Sequence, residues 1–293
     1  MGGTCAHNRG NKVIRTVDYA APNAAEEFTK SIAESGFAVL RNHPLSGERL
    51  QRMYAGWKAF FDSEEKHRYR VKDLTQEDDQ YGYFGPDIAE TAVGFEQPDI
   101  KEYFHVSFDE PFPDGLEADA IAHCKDAEKL AKQLLDWLDA AIPSDCRQAG
   151  GVWSEALSWD DSLLRILHYP PLRGDEPEGS VRAAAHEDIN YITLLPVADQ
   201  PGLQVRTLDG EWLDLEGRQG DLIINTGDML QEISGGYLPS TTHRVVNPTG
   251  QTENISRISI PYFLHPARKT RLSDRYTAGQ YLKARILENY NND

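Results

Sequence analysis

Hydrophobic positions change their period about halfway along the chain. In the first half they recur at helical spacing. Within AAEEFTKSIAESG, Ala25, Phe28, Ile32 and Ala33 form one stripe, and Gly36 stands where such a helix would stop. FAVLRNH then reads as a short apolar strand at 37–41. SGERLQRMYAGWKAFFDS spaces Leu50, Met53, Tyr54, Trp57, Phe60 and Phe61 along one helical face, with Ser46 placed as its cap. EADAIAHCKDAEKLAKQLLDWLDAAIP predicts a long helix that buries Ile121, Cys124, Leu130, Leu134, Leu135 and Leu138 and is closed by Pro143.

After about residue 160 the period falls to two. LLRILHYP, YITLLPV, GLQVRT, EWLDLE, DLIINTGD, THRVVN and ISRISIPYFL read as short strands, punctuated by DQPG, LDGE, RQGD and NPTG. Many short strands of this kind suggest a sandwich or barrel, a set that includes the jelly roll. DRYTAGQYLKARILENY predicts a closing helix. The fold class expected is α+β with a mainly β core, flanked by helices drawn mostly from the N-terminal half. One domain over 1–293 is expected: a helical and strand region at 1–150, the β core at 160–266, and a C-terminal helix within 267–293.

Composition narrows the partners. A formal net charge of −17 opposes nucleic acid and anionic membranes. Any anionic small molecule must therefore be held by local positive groups against the global field. No apolar run is long enough to cross a bilayer, and the N-terminal stretch lacks the apolar core of a secretory signal. Ala6 occupies the position where a myristoylation signal carries Ser or Thr. Cys5, Cys124 and Cys146 lie far apart, which argues against a disulfide framework or a thiolate zinc site. A reducing cytoplasm is the location expected from this.

The chemistry begins at VRAAAHEDINYITLLPV, a run that opens polar and continues apolar. His186 and Asp188 are two apart, and on an extended strand they would face the same side. His243, in PSTTHRVVN, offers a third ligand. Two histidines and one carboxylate occupy one side of a metal and leave positions open, a set suited to ferrous iron in oxygenases. By itself the pair more readily fits a turn in which Asp188 caps backbone N–H groups and His186 is exposed. Farther on, Arg257 and Ser259 share a face of ISRISIPYF, opposite Ile258, Ile260 and Tyr262. A guanidinium in an apolar strand needs a partner. Beside a hydroxyl it makes a carboxylate receptor; a structural salt bridge to one of the chain's many acids would also satisfy it.

Taken together, His186-x-Asp188, His243 and Arg257-x-Ser259 resemble the isopenicillin N synthase-like family of iron(II)- and 2-oxoglutarate-dependent dioxygenases. GFAVLRNHPL, FFDSEEKHRY, LLRILHYPPL, PGLQVRTLDGEWLDL, GDLIINTGDMLQEISGGYLPSTTHRVVNP and RISIPYFLHP follow the family's order across nearly the whole chain. The resemblance implies a double-stranded β-helix. It implies that His186, Asp188 and His243 ligate Fe(II), and that Arg257, Ser259 and Tyr169 bind the distal carboxylate of 2-oxoglutarate. A core tyrosine packed beside Pro170 and Pro171 is the competing reading of Tyr169. The implied reaction oxidises a C–H bond of a small-molecule substrate with O2, releasing succinate and CO2; hydroxylation is the default, and desaturation or ring closure needs the same ligands. An iron oxidase of the same family that uses no 2-oxoglutarate, or a non-catalytic metal or ligand sensor, remains open at this point. The oligomeric state is not legible.

For the substrate wall, the resemblance points to residues 81–106, with Tyr81, Tyr83, Phe84 and Phe104 as candidates. Strand parity adds Phe263 and Asn225. Arg182 or Lys101 would suit a substrate carboxylate. His43 reads as structural, His105, His168 and His265 as core residues, and Asp228 as a turn residue. Leu167 and MLQEISGG depart from residues common in the family at those places.

Overall fold

The computed structural model describes residues 13–71, 81–88, 99–198, 200–207, 209–248 and 254–290. Its N-terminal half holds β1 (Arg15–Asp18), α1 (Ala24–Ser35), β2 (Phe37–Arg41), α2 (Gly47–Phe61), β3 (Gly82–Phe84), β4 (Glu102–Val106), α3 (Glu117–Ala141) and the single turn α4 (Trp153–Ala156). Then come β5 (Leu163–Tyr169), β6 (Ala183–His186), β7 (Ile192–Pro196), β8 (Leu203–Arg206), β9 (Trp212–Asp214) and β10 (Leu222–Thr226). The chain closes with α5 (Asp228–Ile233), β11 (His243–Val245), β12 (Arg257–Ser259), β13 (Tyr262–Leu264) and α6 (Ala278–Tyr290).

The strands form two sheets. The larger runs β1-β2-β10-β7-β13-β5-β4-β3, with β12 also paired to β5; the smaller runs β6-β11-β8-β9. Phe37, Val39, Phe84, Tyr103, Leu167, Tyr169, Ala183, Leu203, Val205, Ile223 and Val245 form an apolar cluster drawn from both sheets. This is the interior of a jelly roll. The other face of the large sheet carries the helices and the larger core, where Trp57 meets Phe104 at 5.2 Å between ring centroids.

Local signals act as their chemistry demands. Gly36 ends α1 at φ 74°, a conformation that costs glycine little, and its N–H donates to Ile32 O at 2.8 Å. Ser46 accepts from Arg49 N at 3.2 Å and caps α2. In α3 the stripe rotates slightly: Ala120, His123 and Ala127 are buried and Ile121 only partly so.

Three expectations need correction. His186 and Asp188 do not share an extended strand: β6 ends at His186, and Asp188 lies where the chain crosses to β7 in the other sheet, at 187–191. Asp228, read as a turn residue, is buried and begins the helix α5. Cys124 is free and buried, but Cys146 is disulfide-bonded, so the expectation of three reduced thiols fails there. Cys5 lies outside the described residues, as do 89–98 of the stretch assigned to the substrate wall. None of the described helices is long and apolar enough to cross a membrane.

Candidate metal centre

His186 ends β6 and His243 begins β11, and the two are paired directly across the small sheet. Their rings lie 4.4 Å apart. Asp188 reaches them from the crossing segment rather than from the strand, held there by backbone bonds: its carbonyl accepts from Asp228 N at 2.7 Å. One potential ligand atom from each of the three side chains lies within 4.8 Å of the others. The small-sheet pairing and the crossing loop together achieve what two-residue spacing alone was expected to do.

Hydrogen bonding aims every donor. Asp188 Oδ2 accepts from Thr193 Oγ1 at 2.6 Å and from Asn225 Nδ2 at 2.7 Å. Oδ1 lies 4.0 Å from His186 Nε2 and 3.8 Å from His243 Nε2. Each histidine turns Nδ1 to a backbone carbonyl, His186 to Ala184 O at 2.7 Å and His243 to Thr241 O at 3.1 Å. A carbonyl only accepts, so Nδ1 carries the hydrogen and Nε2 presents its lone pair inward. Partial desolvation, and then the neighbouring His243, lower the pKa of His186, which favours the neutral ring that can ligate. Burial opposes the charged form of Asp188, yet His243, His186, Thr193 and Asn225 outweigh it and hold its pKa below the ordinary carboxylate value. The His186 side chain is still 43% accessible, so the site is reached from solvent. Two imidazole nitrogens and one anionic oxygen, with room beside them, fit ferrous iron and leave coordination positions for other ligands.

A second wall lies on β5 and β12. Arg257 sits opposite Tyr169 and Ser259 opposite Leu167. All four are buried. The Arg257 guanidinium is 5.3 Å from the Tyr169 ring centroid, its Nε donates to Gln200 O at 3.0 Å, and its buried Nη1 has no partner. Arg182 was named only as a substrate candidate, but it belongs to this wall. Burial lowers its pKa and the charge of Arg257 adds to that, which places the two guanidiniums within electrostatic reach. Arg182 Nη2 donates to Ile255 O at 2.8 Å while Nε is buried without a partner. Among the described residues neither arginine has a carboxylate partner, so their charge is not neutralised within the wall.

The substrate candidates divide by strand parity. Phe84 pairs with Tyr103 and stacks on it at 4.6 Å in the cluster between the sheets. Tyr83 and Phe104, paired with each other, belong to the helix-side core instead. There Tyr83 OH donates to Glu102, a buried carboxylate that Lys66 and His168 also satisfy, at 3.0 and 2.7 Å. A buried acid needs those donors, so its strand turns that face away from the metal. Tyr81 lies just ahead of β3, partly buried. Asn225 faces inward as expected but serves Asp188. Phe263 keeps the parity of Arg257 and Ser259: although Ile260 and Pro261 interrupt the strand, the register against β5 is unbroken from Arg257–Tyr169 to Phe263–Leu163. His168 is a core residue as expected. His105 is not: it shares the inner face with Tyr103 and Arg165, its Cα partner. Counting back by twos from Tyr169 along β5 would have found Arg165.

Residues 160–266 match the family model of the 2OG-Fe(II) oxygenase superfamily, and residues 14–133 match that of the non-haem dioxygenase in morphine synthesis N-terminal region. The bi-functional coumaroyl CoA and feruloyl CoA ortho-hydroxylase F6H2-2-1 of Ipomoea batatas is 31% identical over 87% of this chain and 70% of its own. Proline hydroxylase buaE of Petromyces alliaceus is 28% identical over 94% and 99%. Among solved structures, a Shewanella oneidensis protein described as an oxygenase superposes with a TM-score of 0.82 at 45% identity, covering 94% of this chain and 98% of its own. Full-length T7H of Neurospora crassa, solved with alpha-KG, has the same fold, with a TM-score of 0.78 at 24% identity over 97% and 99%.

Proposed function

Because the chain belongs to the 2OG-Fe(II) oxygenase superfamily and is an iron(II)- and 2-oxoglutarate-dependent dioxygenase, we propose that His186, Asp188 and His243 hold the iron, while Arg257, Ser259 and Tyr169 receive the distal carboxylate of 2-oxoglutarate. One observation carries the metal assignment. Asp188 has one oxygen saturated by Thr193 and Asn225, and its other oxygen faces both Nε2 atoms. A carboxylate that merely capped backbone N–H groups would have no reason to be held this way.

When bound, iron supplies the activation of dioxygen that oxidises a C–H bond of a small-molecule substrate, with succinate and CO2 as coproducts. The protein's own residues do the rest. Thr193 and Asn225 fix the orientation of the carboxylate ligand, and the carbonyls of Ala184 and Thr241 fix the ring nitrogens. The cosubstrate wall supplies a guanidinium fork, a hydroxyl and a phenol on neighbouring strands. Arg182 adds a second positive charge to that wall. The net charge of −17 supports small molecules rather than nucleic acid or anionic membranes as partners.

Anaerobic addition of iron(II) and then 2-oxoglutarate to the metal-free protein tests the assignment. A visible charge-transfer band should appear in the wild type and be absent in Asp188→Ala. Substrate turnover without stoichiometric succinate would overturn the use of 2-oxoglutarate, and an Asp188→Ala protein with full activity would remove the iron site.

A further inference from the structure

The inner face of the large sheet carries another cation, well away from the cosubstrate wall. Arg165 stands on β5 four residues before Tyr169 and with the same parity, about 13 Å along the strand. Its Nε donates to His105 Nε2 at 2.8 Å. Its guanidinium lies 4.8 Å from the Tyr103 ring centroid and 5.6 Å from that of Phe263. Phe84 closes the group, 4.6 Å from Tyr103 and 4.7 Å from His105. Bonded to an imidazole and faced by two rings, the Arg165 guanidinium is oriented on the inner face.

The sheet order sets the distance to the metal ligands. β5, β13 and β7 are neighbours, and Phe263 is the Cα partner of Thr193, whose hydroxyl holds Asp188. Arg165 is two strand spacings across and two residues along from Thr193, about 12 Å from the residue that holds the iron carboxylate. That span is the length of a small organic molecule. The rings of Phe84, Tyr103 and Phe263 are grouped with the guanidinium at its far end.

We infer that Arg165 determines substrate specificity by receiving the carboxylate of a planar, largely apolar organic acid, whose far end then lies over the metal ligands. The inference rests on the oxygenase reading and names its substrate class. A guanidinium fork matches a carboxylate in two parallel hydrogen bonds, and flat rings favour a flat body. The substrate acid would exchange for contacts Arg165 makes in the free protein. In a chain of net charge −17, an anionic substrate needs such a local cation, and a neutral one does not.

The test uses the anaerobic iron(II)–2-oxoglutarate complex of the full chain. Benzoate, phenylacetate and cinnamate are each titrated against the corresponding amide while the visible band is followed. The acids should shift the band with at least tenfold tighter binding than their amides. Arg165→Gln should abolish that preference while leaving the band of the substrate-free complex unchanged, and Arg165→Lys, which keeps charge without the fork, should be intermediate. Equal binding of acid and amide, failure of every acid to shift the wild-type band, or an Arg165→Gln protein that keeps the preference would each overturn the inference and leave the oxygenase reading standing. No band in the wild type would remove both.

Discussion

Asn225, on β10, donates its side-chain amide to Asp188 Oδ2 at 2.7 Å, across 37 residues of sequence. The residue that parity assigned to the substrate wall instead sets the direction of a metal ligand. Asn225→Ala should therefore weaken iron(II) binding by about 10- to 100-fold, because Thr193 alone is left to orient the carboxylate. Competition against a chelator under anaerobic conditions measures it. Iron affinity equal to wild type would refute the orienting role.

Arg257 and Arg182 both bury guanidinium nitrogens without partners. Losing a charged hydrogen bond to an anion costs about 1.5–3 kcal/mol. Arg257→Gln should thus raise the KM for 2-oxoglutarate by roughly tenfold or more, and Arg182→Gln should raise it by less. Succinate release against 2-oxoglutarate concentration reads both. Iron(II) affinity without cosubstrate should be unchanged in each, and a matching loss there would point to collapse of the fold rather than loss of an anion partner.

Gly227 packs against the segment that carries Asp188. A Cβ added there would lie 2.2 Å from Asn190 O and 2.3 Å from Asn190 Oδ1, although φ is an unstrained −99°. Its N–H also donates to Tyr191 O at 3.0 Å. Gly227→Ala should destabilise the protein by about 1–3 kcal/mol and weaken iron binding in parallel, since the crossing segment must move. Calorimetry of the metal-free protein should show a Tm several degrees lower; an unchanged Tm would contradict the packing argument.

His123 is buried in α3, and burial lowers its pKa to about 4. The unfolded chain, titrating near 6.5, takes up a proton before the native state does. Stability is therefore full above about pH 6.5 and is lost as pH falls towards 4, by up to about 1.4 kcal/mol per pH unit for this group. His265, also lowered to about 4 by burial, acts with the same sign. Urea midpoints of the metal-free protein between pH 7.5 and 4.5 should decline more steeply in wild type than in His123→Leu. Parallel slopes would show that His123 contributes nothing to the acid limb.

Much of this protein was legible in the chain alone, because the information is local. Period 3.6 in 47–61 and 117–141 and period two beyond 160 follow from which side of each segment must leave water. Gly36 and Ser46 mark helix ends through their own backbone and side-chain chemistry. His186, Asp188, His243, Arg257 and Ser259 stood out because charged or ligating groups inside apolar strands need partners wherever those strands go.

Tertiary structure decided what depends on pairing across the fold. Alternation along β3 and β4 separates Tyr83 and Phe104 from Phe84 and Tyr103, but only the buried Glu102, satisfied by Lys66 and His168, shows which pair turns towards the helices. The break at Ile260 and Pro261 leaves parity undecided until the unbroken register against β5 restores it. The division of 181–197 between two sheets, the grip of Asn225 on Asp188 and the seat of Arg165 against His105 and Phe263 arise from contacts between strands distant in sequence. No local period encodes them, because a strand's two faces are equivalent until its neighbours are known.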